Sequence, residues 1–335
     1  MFVDNGMIFI YYSEMTSRKI MILFNPSSGK GRSLKQKEKI ETLLKAHGID
    51  YDLIVTESED HLRKSAAEAA GRYETIVGVG GDTTFNIIAG KVLEYGKNAP
   101  AIGMIGTGSA NDIVRGLGIK KIEDACRTIK NGKIKKMDVG RLKIINPPQP
   151  GTFFFMGTLS LGLGTTVNRY IEGFHRRHGI LSELKPFDQL FSGLYGIHDS
   201  FSKKKVPLTV DMAYRDLKNG ETIVKPVEFS LLVFLNTPYY ANGMRLGEEN
   251  GLFDGVLDCR VIHTRSFLGT LRTGLRVREG KTNSEGVGIM AIRSVWFNVS
   301  SKEAIDIQVD GEIIEGVKEF EISIIPGALT VLGED

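Results

Sequence analysis

The chain has 335 residues, 41% hydrophobic and 25% charged, with 39 Gly and 10 Pro, a globular composition that excludes disordered, collagenous and coiled-coil classes. Its 43 Lys and Arg against 40 Asp and Glu leave a formal charge of +3, too near balance for a protein that must neutralise many phosphates, so no nucleic-acid partner is expected. The length predicts two domains, each with its own core.

The opening apolar stretch, residues 7–12, follows Asp4 rather than basic residues and does not read as a secretory signal. From 19 to 119 the pattern alternates between strand-like runs and segments of helical period, as in parallel α/β structure. Strands are expected at 19–24, 52–55, 75–79 and 101–105, with helices at 33–46, 60–71, 84–95 and 122–131. After Asp138 the texture turns to period-two alternation, for example at 229–236, 256–262, 294–300 and 320–325, which predicts a mostly antiparallel β domain. One helical insertion is expected at about 183–203, with Leu184, Phe187, Leu190, Phe191, Leu194 and Tyr195 on one face. Trp296 and residues 153–155 read as sandwich core. The uncharged run at 144–168 is broken by Pro147, Pro148 and Pro150, so no transmembrane segment is expected. Cys126 and Cys259 lack CxxC spacing and a companion His pair, which argues against a disulfide or zinc scaffold and for a cytoplasmic setting.

Three glycine-bearing turns carry the chemistry. In NPSSGKGRS (25–33) small residues let backbone N–H groups face an anion, while Lys30 and Arg32 add charge; the segment is neither a Walker A nor a GxGxxG motif. VGVGGDTTFNIIAG (77–90) ends a buried strand in Gly80, Gly81 and Asp82 where a helix begins, the edge at which α/β folds bind ligands. IGTGSANDIVRGLGI (105–119) repeats the arrangement with Gly106, Gly108, Ser109, Asn111 and Asp112. Three such edges in succession make one phosphate crevice. Asp82 and Asp112 also suit helix N-caps, and the Asp310-Gly311 and Asp254-Gly255 pairs also suit hairpin turns. Asp82, Asp112 and Asp138 offer clustered carboxylates, the hard oxygen ligands that nucleotide-bound magnesium takes, partly through water.

NPSSGKG, GGDTT, GTGSANDIVRGLGI, LNTPYYANGMRL, LFDGVLD and VDGE stand in the order and spacing of the diacylglycerol kinase catalytic-domain family, which the chain resembles over about residues 19–332. The resemblance implies an NAD-kinase-like α/β domain with a parallel sheet, residues 1–140 plus a returning strand at 325–335, and an antiparallel β-sandwich-like lipid-substrate domain at 141–324. Nucleotide would lie in the cleft between them. It further implies a lipid kinase using ATP and Mg, active on a lipid at a membrane surface, with diacylglycerol as lead acceptor and a sphingoid base or ceramide as alternatives. A homodimer stays open.

By the same resemblance, Asn25, Pro26, Ser27, Ser28, Gly29, Lys30, Thr56, Gly80, Gly81, Asp82, Thr83, Thr84, Gly108, Ser109 and Asn111 would meet the nucleotide. Asp82, Asp112 and Asp138 would organise catalytic magnesium, and Asp254 with the carbonyls of Gly251 and Val256 would hold a second, structural metal. Asp310 would act as base on the lipid hydroxyl, assisted by Glu312, with Asp82 as its rival. The chain departs from the family pattern at Thr83 for a glycine and at Ile87 for a glutamate that faces the nucleotide. Those two departures motivate the other reading, a degenerate nucleotide- or lipid-binding protein. His175, Arg176, Arg177 and His178 form a basic cluster that suits a solvated loop or lipid headgroups.

Overall fold

The computed structural model describes residues 20–146, 150–178, 186–279 and 288–334, the side chains of 174–178 and 186–192 left aside. The opening apolar stretch, Leu184 and the side chains of the 175–178 cluster, Phe187, Leu190 and Phe191 therefore lie outside the described residues.

The first part of the chain runs β1 (Ile20–Phe24), α1 (Ser28–Ala46), β2 (Asp52–Val55), α2 (Glu59–Ala70), β3 (Thr75–Gly80), α3 (Asp82–Tyr95), β4 (Ala101–Gly106), α4 (Asp112–Gly116) and α5 (Ile122–Asn131). Every residue of β1 and β3 is buried, as strands covered by helices on both faces must be. These strands pair in parallel, Ile22 opposite both Leu53 and Val77 and Val77 opposite Gly103, so the order is β4-β3-β1-β2. Parallel pairing puts all the strand ends at one edge, where the three glycine turns lie.

The second part follows as β5 (Ile134–Asn146), β6 (Gly151–Phe155), β7 (Thr158–Gly162), α6 (Leu163–His178), α7 (Pro186–Ser202), β8 (Leu208–Arg215), β9 (Thr222–Phe229), β10 (Leu231–Leu235), β11 (Tyr239–Tyr240), β12 (Met244–Arg245), β13 (Leu257–Ile262), α8 (Phe267–Arg278), β14 (Ile289–Ser294), β15 (Trp296–Val309) and β16 (Glu312–Leu332). Its strands are antiparallel and form a β-sandwich around Phe155, Phe229, Phe234, Phe297 and Phe320. The chain thus pairs an α/β unit of parallel strands with an antiparallel sandwich.

β16 joins the two. It leaves a hairpin with β15 at Val309 and Glu312, runs antiparallel to β5 with Ile322 opposite Leu142, and ends parallel to β4 with Val331 opposite Ile102. The register with β5 breaks between Ile325 and Leu329, where Pro326 cannot donate a ladder hydrogen bond.

The sequence reading misses α6 and α8 and divides some strands differently. Thr165, Thr166 and Val167 open α6 and Gly269 and Gly274 interrupt α8, so both have weak helical propensity, and each is held by packing. The expected strand at 229–236 is split, Phe229 closing β9 before β10 begins. Phe153 and Phe154 are exposed on β6, which pairs only with β5, so of the three phenylalanines Phe155 alone is core. Both cysteines are free and buried; burial lifts the Cys126 thiol to about 11 and pushes Cys259 far up, so neither is a ready nucleophile.

Candidate functional site

The three turns at the edge of the parallel strands pack on each other through glycine. Gly29 begins a left-handed run continued by Lys30 (φ 59°) and Gly31 (φ 78°), and a Cβ on Gly29 would stand 2.0 Å from the Thr107 carbonyl oxygen. A Cβ on Gly108 would stand 2.5 Å from the Cα of Gly81. Only glycine permits these approaches. The left-handed run makes a kink near the start of α1, and regular helical backbone follows only after Gly31, close to the expected start at 33.

Side chains then lock the turns together. Asn25 donates from Nδ2 to Thr84 Oγ1 (3.1 Å) and accepts from the Ser27 hydroxyl (2.8 Å). Ser33 and Thr107 share a short hydroxyl–hydroxyl bond in full burial. Arg32 donates from Nη2 to the Gly108 carbonyl (3.2 Å) and to Ser109 Oγ (3.5 Å). Lys30 and Ser109 are exposed at this rim beside Pro26 and Ser28, whereas Thr56 is buried and gives its hydroxyl to the Phe24 carbonyl (3.2 Å). Thr56 is therefore a brace between β1 and β2 rather than a free donor at the crevice.

Next to the turns stand three carboxylates. Asp82 accepts from the backbone N–H groups of Asp112 and Ile113, each at 3.0 Å, fixing the start of α4 against the start of α3. Asp112 accepts from Asn242 N (3.0 Å) and from Arg115 Nη1 (3.4 Å), which ties in the loop of β11 and β12. Burial raises both carboxyls above the ordinary range against the lowering effect of these donors.

Asp310 reaches the same place from the sandwich. Asp310 and Gly311 form a two-residue turn with φ of 47° and 99°, the hairpin geometry expected of an Asp-Gly pair. The same turn turns the carboxylate inward, where it accepts from Met156 N (2.7 Å), Gly157 N (3.0 Å) and Thr158 N (2.7 Å). Burial lifts this carboxyl to about 6 despite three donors, and the charge of Asp82 adds to the rise. Glu312 is exposed at the start of β16 and outside the cavity lining.

Asp82, Asp112 and Asp310 share one cavity of about 830 Å³. Away from the carboxylates its walls are apolar: Val167 and Ile171 of α6, Leu194 and Ile197 of α7, Leu271 and Leu275 of α8. Of the residues expected on one face of the 183–203 segment, the described side chains are those of Leu194, which lines the cavity, and Tyr195, which is exposed and meets Tyr170 edge-on at 5.5 Å. A polar end and an apolar body suit a molecule with a polar head and a hydrocarbon tail.

Asp138 departs from the expected acidic set. Its Oδ1 accepts from Gly327 N (2.7 Å) and its Oδ2 from Gly255 N (2.6 Å), so it clamps the β16 irregularity to the 254–256 turn and does not line the cavity that Asp82 and Asp112 share. Among the described residues no three acidic, His or Cys side chains converge as a metal cluster. Asp82 and Asp112 nevertheless fit a nucleotide-borne divalent cation, because both are desolvated and two buried amide oxygens nearby, Asn86 Oδ1 and Asn111 Oδ1, have no hydrogen-bond partner. The sequence reading misses Asn86; its position four residues after Asp82, hence on one face of α3, is the signal that marks it.

The second metal set does not fit. Asp254 Oδ2 is paired with Arg293 Nη2 at 2.5 Å, its Oδ1 accepts from Val256 N (3.0 Å), and Arg293 Nε also meets Asp258 (3.1 Å). A guanidinium already supplies the positive charge there.

Thr83 and Ile87, the two departures, have plain places. Thr83 is an exposed residue of the first turn of α3 and is absent from the positive-φ residues, so its Cβ costs no strain. Ile87 is 5% exposed and packs in the core of the α/β unit.

Comparison with known proteins agrees with this architecture. The family model described as diacylglycerol kinase catalytic domain matches residues 19–142, and that described as YegS C-terminal NAD kinase beta sandwich-like domain matches 198–333. A Pseudomonas aeruginosa protein named probable lipid kinase YegS-like is 27% identical over 287 residues, 85% of either chain. Probable lipid kinase YegS of Salmonella gallinarum is 23% identical over 312 residues, 92% of this chain and 94% of that one. In fold, the chain is similar to a crystal structure of a diacylglycerol kinase from Bacillus anthracis (TM-score 0.66, 18% identity, 95% of this chain and 97% of that one). It is also similar to yeast NADH kinase complexed with NADH (TM-score 0.51, 10% identity, 96% and 85%). With both domain models matched in order and relatives aligned along most of its length, the chain belongs to the diacylglycerol kinase catalytic-domain family of YegS-like lipid kinases.

Proposed function

We propose that this protein transfers the γ-phosphoryl group of ATP, with magnesium, to a lipid hydroxyl, diacylglycerol being the lead acceptor and a sphingoid base or ceramide the close alternatives. The observation that carries the reading is the cavity, whose apolar body ends at the Asp82, Asp112 and Asp310 carboxylates beside the glycine turns. In this reading the two cores are two domains, 1–140 with 325–335 for nucleotide and 141–324 for lipid, and the enzyme works at a membrane surface.

The chemistry follows from the residues. Phosphoryl transfer needs positioning and charge neutralisation more than covalent help. The turns at 25–30, 80–84 and 108–111 hold the phosphates through backbone N–H groups, with Lys30 at the rim adding positive charge. Asp82 and Asp112 would hold the nucleotide's cation, with the oxygen atoms of Asn86 and Asn111 beside them. Magnesium, bound with the nucleotide, would supply neutralisation of charge on the transferring group. Asp310 serves as the base: a desolvated carboxylate titrating at about 6 is ionised at neutral pH and still a competent proton acceptor. Its two oxygens offer about four acceptor positions and three are filled by N–H donors, which leaves one for the lipid hydroxyl. Glu312, exposed beyond the turn, serves at most as a more distant aid.

The non-catalytic reading rests on Thr83 and Ile87, and against it Thr83 carries its Cβ without positive φ while Ile87 packs in the core. The test is transfer of labelled γ-phosphate from ATP, with magnesium, into diacylglycerol, monoacylglycerol, sphingosine and ceramide in mixed micelles, with Asp82→Asn as background. A labelled diacylglycerol product is expected. Silence across the panel would sink the kinase reading, and label in sphingosine or ceramide alone would reassign the acceptor.

A further inference from the structure

The apolar cavity comes to the surface along α8. Leu275 lines it and is 61% exposed, and Gly274 and Arg278 likewise belong to both the lining and the exposed surface. Leu268 is 62% exposed on the same helix. On α8, Leu268, Arg272 and Leu275 follow one another at steps of four and three residues, so they form one outward face, and the exposed Arg265 stands just before its N-cap, Ser266. From Ser266 to Arg278 the segment holds three arginines and no acidic residue. Among the described residues Arg265, Arg272 and Arg278 make no ion pair. The neighbouring helix adds an exposed aromatic residue, Tyr195, and the two helices touch where His198 meets Phe267 edge-on at 5.8 Å.

A single exposed leucine on a soluble surface calls for no explanation. Two exposed leucines beside unpaired arginines at the mouth of an apolar cavity do. Basic and apolar side chains on one helical face are what an anionic bilayer surface binds, the cations at the headgroup phosphates and the apolar groups at the acyl boundary.

We propose that the Leu268–Arg272–Leu275 face of α8, with Arg265 just ahead of its N-cap, docks on an anionic phospholipid bilayer, so that a membrane lipid enters the cavity past Leu275 without crossing water. The passage of lipid rests on the kinase reading above; the docking itself rests on the α8 face alone.

The experiment is sedimentation of the full chain with vesicles of phosphatidylcholine alone or with roughly a third phosphatidylglycerol, a charge density at which each surface arginine contributes measurably. The native chain should bind the anionic vesicles at least about tenfold more tightly than the neutral ones. Arg265→Glu with Arg272→Glu should remove that preference, and Leu268→Glu should weaken binding further. All three residues are exposed and outside the cavity lining, so the melting temperature and turnover of a dispersed short-chain acceptor should stay as in the native chain. Native binding indifferent to phosphatidylglycerol, or undiminished binding in the well-folded variants, would overturn the docking. A dimer in solution that the same substitutions dissociate would give the face to a second copy and overturn it equally. Failure of the native chain on the dispersed acceptor bears on the kinase reading and leaves vesicle binding to judge the docking.

Discussion

At the residue scale the account turns on Asp310, whose ordinary hairpin position supplies an unusual carboxylate. The turn was legible from the Asp-Gly pair, but the three N–H groups of Met156, Gly157 and Thr158 that receive the carboxylate come from a strand junction more than 150 residues away in sequence, as the 152-residue separation of Thr158 and Asp310 records. Spacing rules cannot see such a contact. Its titration gives a prediction with a definite sign. Burial raises the folded-state carboxyl from 3.8 to about 6, so the folded protein keeps a proton that the unfolded chain has already lost between those values. The contribution of Asp310 to stability is therefore largest below pH 3.8, falls as pH rises toward about 6 and is level above it. Measured by denaturant titration, the native stability minus that of Asp310→Asn should decline across that window, with a slope of up to about 1.4 kcal/mol per pH unit. Turnover should move the opposite way, rising through the same window as the base ionises. A difference that rises with pH there would mean that the carboxylate is held ionised by its donors instead.

At the element scale the site depends on turns that touch through backbone. The three turns and their order were readable because glycine-rich strand ends have few uses in α/β folds. What could not be read was that Gly29 lies against Thr107 or that Thr56 is spent on a neighbouring strand, since both follow from the order β4-β3-β1-β2 in which the strands are laid together. The helices α6 and α8, which wall the cavity, were hidden for a related reason: their helicity comes from packing against the sandwich, not from composition. Gly29→Ala tests the turn packing. At φ +60° with a backbone oxygen 2.0 Å from the new Cβ, the substitution should cost at least about 2 kcal/mol and loosen nucleotide binding. A melting curve and a nucleotide titration indistinguishable from the native chain would mean that the turns are not in contact.

At the scale of the whole molecule, β16 is the element on which both units depend. Its 21 residues pair with β15, β5 and β4 in turn, and Asp138 clamps its irregularity to the 254–256 turn. The resemblance foresaw the return of the last strand to the first sheet, yet it assigned Asp138 and Asp254 to metals, because a carboxylate's partner cannot be told from its presence in a motif. Here backbone N–H groups and Arg293 are those partners. A chain ending at Ile325 would lose Leu329, Val331 and Leu332, all buried, each worth about 1.5–3 kcal/mol of apolar burial. That chain should fail to give a cooperative thermal transition in calorimetry. A normal transition would show that the first sheet closes without β16.

In the proposed reaction a lipid hydroxyl receives phosphate at the carboxylate end of the apolar cavity with Asp310 as base. The most direct test compares label transfer from ATP to diacylglycerol by the native chain and by Asp310→Asn at saturating ATP. The account predicts transfer by the native chain, a kcat lower by about two to four orders of magnitude in the variant, and an unchanged KM for ATP. Equal turnover by the two proteins, or a defect confined to the KM for ATP, would contradict it.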